Sequence, residues 1–278
     1  MKLYKLKSSW KVETQFRSVA VSPNGQLLVT GGLKRPTVEV WNIDTGEMVN
    51  SWLASPPFPN PNVSDPIDAM DISSDGEILV TGGALQAWHL STGKRKRKFR
   101  GFGGRALEVK ISSDSKFLLS GGGVGNTPAI FVWNLKQGKK LHTLNKSSQY
   151  SFSINSNSKL LVGKDFLEET IKLWDITTSE LVRIIDCKRN VIRSKVFTFS
   201  LEEKLLLGAG FDGIQIWNID TGEKYQEVDK FKNVKFSQHL DEIHSVEILS
   251  DNKTILTAGE DSNVQIWDIT TGKNIGTL

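Results

Sequence analysis

Histidine is the side chain best placed for proton transfer near neutral pH and for metal binding, and this chain of 278 residues has four: His89, His142, His239 and His244. The densest grouping, His239-Leu-Asp241-Glu242-Ile-His244, offers two imidazoles and two carboxylates. The i,i+5 spacing of its imidazoles matches neither the helical pair of a zinc protease nor a zinc finger, so no metal site is expected. Gly121 to Asn126 has the glycine content of a phosphate-cradling loop but lacks the lysine and the following helix. There is no Gly-x-Ser-x-Gly elbow, and the single cysteine, Cys187, forms no cysteine–histidine arrangement that would make a nucleophile. The expectation is no catalytic residue, no cofactor and no metal. What remains is electrostatic: the run Lys94, Arg95, Lys96, Arg97, Lys98 and Arg100, with Arg105 close behind.

That run accounts for the whole basic character of the chain. The formal charge is +4, yet without these seven residues 28 basic side chains face 31 acidic ones. The basicity is local and does not mark a general nucleic-acid binder. One cysteine allows no internal disulfide, and no stretch approaches the ~18 consecutive apolar residues of a membrane span. With no signal-peptide-like run at Met1 to Trp10, the expected compartment is the cytoplasm, or the nucleus in a eukaryote.

The elements that position these residues repeat. Six tryptophans, Trp41, Trp88, Trp133, Trp174, Trp217 and Trp267, recur 41 to 50 residues apart, each after alternating apolar residues and before a turn. Within each period a first strand alternates with period two, as in Val19 and Val21, Met70 and Ile72, or Val109 and Ile111, which predicts one buried face. A tight turn follows, such as Ser-Pro-Asn-Gly at 22–25, and then a continuous apolar strand such as Leu27-Leu28-Val29. The tryptophan lies on a third strand, and a turn such as Asp44-Thr45-Gly46 leads to a more polar fourth.

These residues resemble the WD-repeat (Trp-Asp repeat) family, from about residue 17 to 278. The resemblance implies an all-β fold, a six-bladed β-propeller of four-stranded antiparallel blades forming one domain over 1–278, with repeats near 11–52, 66–100, 105–144, 148–186, 193–228 and 240–278. It also implies a hydrogen-bonded structural tetrad in the last repeat, His239, Thr257, Asp261 and Trp267. The other repeats fill the histidine slot with Val12, Val63, Phe102, Asn145 and Asn190. Thr30, Thr81 and Ser120 keep the hydroxyl, whereas Gly163 and Gly208 lack it. The outer strand of the last repeat is expected from Lys273 to Leu278, with Lys2 to Lys7 beside it or loosely outside.

By the same resemblance the expected role is a rigid platform for one or more partner proteins. The alternatives are polyanion binding, to nucleic acid or anionic lipid, through the basic segment 94–105 with Lys94, Arg95, Lys96, Arg97, Lys98 and Arg100 as its contacts, and, ranked below it, an enzymatic propeller. That segment falls on an outer strand, where charge also guards an edge against aggregation, and its substitution by Gln is expected to leave stability nearly unchanged. The longer, variable loops are the expected partner surface. They carry Lys34 and Arg35, Phe58 with five prolines between 53 and 66, and Phe231 and Phe236 among lysines. With Trp52 these aromatics are expected as exposed interface anchors.

Overall fold

A computed structural model describes residues 15–54, 66–100, 104–123, 129–144, 152–165, 170–186, 194–210, 213–224 and 243–278, except 250, 252, 260 and 262. Every element among them is a strand, and the strands form six consecutive antiparallel sheets, the blades of a six-bladed β-propeller. The chain divides into two compact units, Met1–Tyr150 and Ser151–Leu278, with three sheets in each.

In the first unit, sheet 1 consists of β1 (Phe16–Val21), β2 (Leu27–Gly32), β3 (Thr37–Asn42) and β4 (Met48–Leu53). Sheet 2 holds β5 (Met70–Ile72), β6 (Ile78–Thr81), β7 (Gln86–His89) and β8 (Arg95–Lys98). Sheet 3 holds β9 (Arg105–Ile111), β10 (Phe117–Gly123), β11 (Ala129–Asn134) and β12 (Lys140–Leu144). The second unit repeats the plan. Sheet 4 is β13 (Phe152–Ile154), β14 (Leu160–Asp165), β15 (Thr170–Asp175) and β16 (Leu181–Asp186). Sheet 5 is β17 (Ser194–Phe199), β18 (Leu205–Gly210) and β19 (Gly213–Asn218), with a Trp217–Lys224 bridge where a fourth strand would start. Sheet 6 is β20 (Ile243–Ile248), β21 (Thr254–Gly259), β22 (Val264–Asp268) and β23 (Asn274–Thr277). The outer strand of sheet 6 is thus the C-terminal segment; Lys2 to Lys7 lie outside the described residues.

Local chemistry sets the turns. In four sheets the residue after the tryptophan caps the turn that follows: Asn42 Oδ1 accepts the N–H groups of Asp44 and Thr45, and Asp175, Asn218 and Asp268 do the same two and three residues on. These bonds, led by that from Thr178, hold the Asp175 carboxyl below its usual range. Each turn after a third-strand tryptophan closes through a left-handed position, for example φ +70° at Gly138 and +75° at Gly222.

The core lies between sheets. In the first unit, Val29, Val38 and Val40 of sheet 1 pack with Leu79 and Trp88 of sheet 2, and Val80 and Phe99 of sheet 2 pack with Val109, Leu118 and Trp133 of sheet 3. In the second, Val162, Leu173 and Ile185 of sheet 4 meet Phe197, Leu206 and Trp217 of sheet 5, while Leu207 and Ile216 meet Val246, Ile255 and Trp267. A central strand with a neighbouring sheet on each side must be apolar on both faces, which is why the second strands are continuous apolar runs. β1 departs from expectation. Val19 and Val21 are exposed, and the side turned toward sheet 2 carries Ala20 and Ser18, whose hydroxyl donates to the Ile67 carbonyl. Alternation correctly separates the two faces of β1, but within the first unit only the Ser18–Ala20 face has a sheet against it.

Candidate functional site

The indole of each third-strand tryptophan needs an acceptor when buried. In four sheets the second strand supplies it. Trp41 Nε1 donates to Thr30 Oγ1 at 3.3 Å, Trp88 to Thr81 at 3.0 Å, Trp133 to Ser120 at 2.9 Å and Trp267 to Thr257 at 2.8 Å. In sheet 5 the hydroxyl is replaced by Gly208, where a Cβ would come within 3.1 Å of Trp217 and 3.0 Å of Phe197, so ring packing fills the space. Of the expected tetrad, Thr257 and Trp267 are in contact. Asp261 Oδ1 accepts the N–H of Asn263, and His239 lies outside the described residues. Among the described residues no group of His, Cys, Asp and Glu is arranged to hold a metal ion.

Two half-buried acids, Asp71 and Glu108, lie on the first strands of sheets 2 and 3. Burial pushes the Glu108 carboxyl up to about 7, against the pull of the Lys110 ammonium, and the Asp71 carboxyl is raised by burial as well. A carboxyl titrating near neutrality suits proton transfer. Asp71, however, accepts the N–H groups of Ile72 and Ile111, the second at 2.6 Å, and thereby ties the first strand of sheet 2 to that of sheet 3.

Other side chains also join consecutive sheets. The Asp68 side chain, just before β5, is almost fully buried and accepts from Arg17 Nε of sheet 1 at 2.9 Å and from Nε and Nη2 of a bidentate Arg105 from sheet 3. Arg105, counted in the sequence with the basic run, is therefore held by a carboxylate that joins three sheets.

The fourth strands carry a repeated latch. Arg97 Nη1 donates to the Gln137 carbonyl at 2.6 Å and Nη2 to that of Lys136 at 2.5 Å, in the turn between β11 and β12 of the next sheet. Arg183 makes the same pair of bonds to Thr221, at 3.1 Å, and Asp220. The turn glycine makes room: a Cβ at Gly138 would run into Arg97 Cδ, and one at Gly222 would lie 3.1 Å from Arg183 Cδ. In sheet 1 the equivalent Asn50 donates to the Ser91 carbonyl. Two residues further on comes an inward anchor. Phe99 packs edge-on against Trp133 at 5.6 Å, Ile185 is buried in the sheet 4–5 core, and Trp52 tilts over Trp88 at 6.2 Å and covers Gly93.

Two expectations are corrected by these contacts. Trp52 is a seam residue between sheets 1 and 2 rather than a free rim aromatic. Arg97, counted with the exposed charges of the basic strand, is committed to the next sheet. Lys94, Arg95, Lys96, Lys98 and Arg100 are exposed, and none of the ion pairs among the described residues involves them. Lys34 and Arg35 are exposed on the turn between β2 and β3, while Phe58, Phe231 and Phe236 lie outside the described residues. Aligning the six repeats on their tryptophans would have marked the latch, because Arg97 and Arg183 fall at one position, each ahead of a glycine-containing turn. Asp68 has no such signal, since it stands in a connecting loop 37 residues from Arg105.

Comparison with known proteins agrees with this architecture. The family model described as WD domain, G-beta repeat (WD40) matches residues 4–42 and 231–268. WD repeat-containing protein 18 of Danio rerio is 23% identical over 288 residues, covering 95% of this chain and 62% of that protein. Autophagy-related protein 16 of Arabidopsis thaliana is 25% identical over 206 residues, 72% of this chain and 38% of its own length. Transducin beta-like protein 3 of Rattus norvegicus is 22% identical over 291 residues, 99% of this chain and 35% of that protein. The chain therefore spans less than two thirds of the length of these relatives.

Proposed function

Since the chain belongs to the WD-repeat family, with its six sheets as propeller blades, we propose that it is a protein-interaction scaffold, a frame on which other proteins assemble. The observation that carries this reading is the division of labour on the fourth strands and connecting loops. Within each unit, buried anchors and guanidinium latches hold neighbouring sheets, and the remaining fourth-strand side chains, charged on β8 and apolar on β16, face outward. A frame fixed in this way loses little conformational entropy when a partner binds. The loop residues Lys34, Arg35, Phe58, Phe231 and Phe236 are part of the proposal as partner contacts. Affinity capture of the intact chain followed by mass spectrometry tests it, with the F58A/F231A/F236A variant alongside. The expected result is a stoichiometric partner that the triple variant, still folded, fails to retain. A chain that captures no partner above background would overturn the reading.

A further inference from the structure

Resting on the scaffold reading, we infer that the outer edge of β8 receives an extended acidic segment of a partner protein, which adds to sheet 2 as a further strand. β8 ends its sheet, and nothing among the described residues pairs with its outer edge. The Phe99 N–H donates inward to the Leu85 carbonyl and the Lys94 carbonyl accepts inward from His89, while Arg97 pairs with Ala87. By the alternation of an antiparallel ladder, the N–H and C=O of Lys98 then face outward, available to another strand. The edge is already ordered, because Arg97 grips the turn of sheet 3 and Phe99 packs on Trp133.

The charge on this edge points to the partner's chemistry. Lys94, Arg95, Lys96, Lys98 and Arg100 are all exposed and none joins an ion pair with a described residue; of these side chains, Arg95 donates to Gln86 Oε1 at 3.3 Å. Charge can serve only to guard an edge against aggregation, yet this fold does not demand such a guard. At the positions equivalent to Arg95, Lys96 and Lys98, β16 carries Leu181, Val182 and Ile184, which are 46%, 52% and 52% exposed. The cations of β8 are therefore a property of this strand and complement an acidic segment.

Single-stranded nucleic acid fits less well, because it is gripped by stacking on exposed aromatics and the one aromatic here, Phe99, is 2% exposed. The rest of the chain, with more acidic than basic residues, also offers no wider electrostatic track.

The test uses the full chain, the variant K94Q/R95Q/K96Q/K98Q/R100Q, which keeps Arg97 and Phe99, and four probes. These are a labelled peptide of alternating Glu and Val, the same peptide with prolines replacing alternate valines, oligothymidylate, and vesicles of equal parts phosphatidylserine and phosphatidylcholine. The wild-type chain should bind the Glu-Val peptide, lose roughly tenfold or more in affinity in the charge variant, and bind the proline peptide weakly, since it keeps the charge but cannot form a ladder. Amide exchange at Lys98 should slow on binding. Equal affinity for the two peptides, no loss in the charge variant, or tighter binding of oligothymidylate or vesicles would each overturn the proposal. If the peptide fails to bind while cellular partners are still captured, this site alone falls; if no partner is captured, the scaffold reading falls with it.

Discussion

β8 of sheet 2 and β16 of sheet 4 occupy the same place in their blades and differ in almost every outward residue. Arg95, Lys96 and Lys98 on one correspond to Leu181, Val182 and Ile184 on the other. The two residues directed at the next sheet agree in role. Arg97 and Arg183 each hold two carbonyls of a neighbouring turn, and Phe99 and Ile185 each fill a core. The difference teaches that the fourth strand is two strands in one. Alternate positions lock a blade to the next, and the remainder are free to take whatever chemistry a partner requires.

The comparison breaks most severely if the anchors are removed. Phe99→Ala should cost about 3–5 kcal/mol and Ile185→Ala about 2–5 kcal/mol in urea denaturation, because each empties a buried site. A loss under 1 kcal/mol at either would mean that its seam is not a packed core. The latches come next. R97Q and R183Q should each lose about 1–2 kcal/mol, similar to one another despite their opposite surroundings, as charged donors are withdrawn from main-chain acceptors. If only Arg183 matters, the basic strand is a purely electrostatic surface after all.

The same seams can be attacked from the turn. Gly138→Ala and Gly222→Ala each place a side chain at positive φ, costing about 1–2 kcal/mol. The effect should be greater at Gly138, where the new Cβ collides with Arg97, than at Gly222, where Arg183 is one contact away. Smallest of all, K96Q and K98Q should change the unfolding free energy by no more than about 0.5 kcal/mol each, since exposed charge outside any ion pair contributes little to folding.

How much of this was legible depends on what period-two patterning can carry. The tryptophan spacing, the alternating strands and the Asx-rich turns revealed the propeller, and the hydroxyls of Thr30, Thr81, Ser120 and Thr257 were identified in the sequence as the residues that do meet the indoles. Alternation says which residues share a face, but not which face has a neighbour, and Val19 and Val21, apolar and alternating, are nonetheless exposed. A run of like charges conceals the same information. Arg97 looks like Lys96 and Lys98 until the neighbouring turn is in place. Trp52 looks like a rim aromatic until Trp88 lies beneath it. The Asp68 clamp depends on a loop that brings together residues from three sheets, which no local pattern encodes.

One exchange of residues tests the division between locking and presenting positions most directly. The chain carrying R95L/K96V/K98I on β8 and L181R/V182K/I184K on β16 keeps both latches and both anchors while moving the three exposed charges of the strand itself from one unit to the other. Hydrogen exchange would be measured on this chain with and without the Glu-Val peptide. The predicted result is unchanged protection of the sheets in the free protein, with peptide-induced slowing over residues 181–186 instead of 95–98. Loss of protection across sheets 2 and 4 without peptide, or slowing that stays at 95–98, would contradict it.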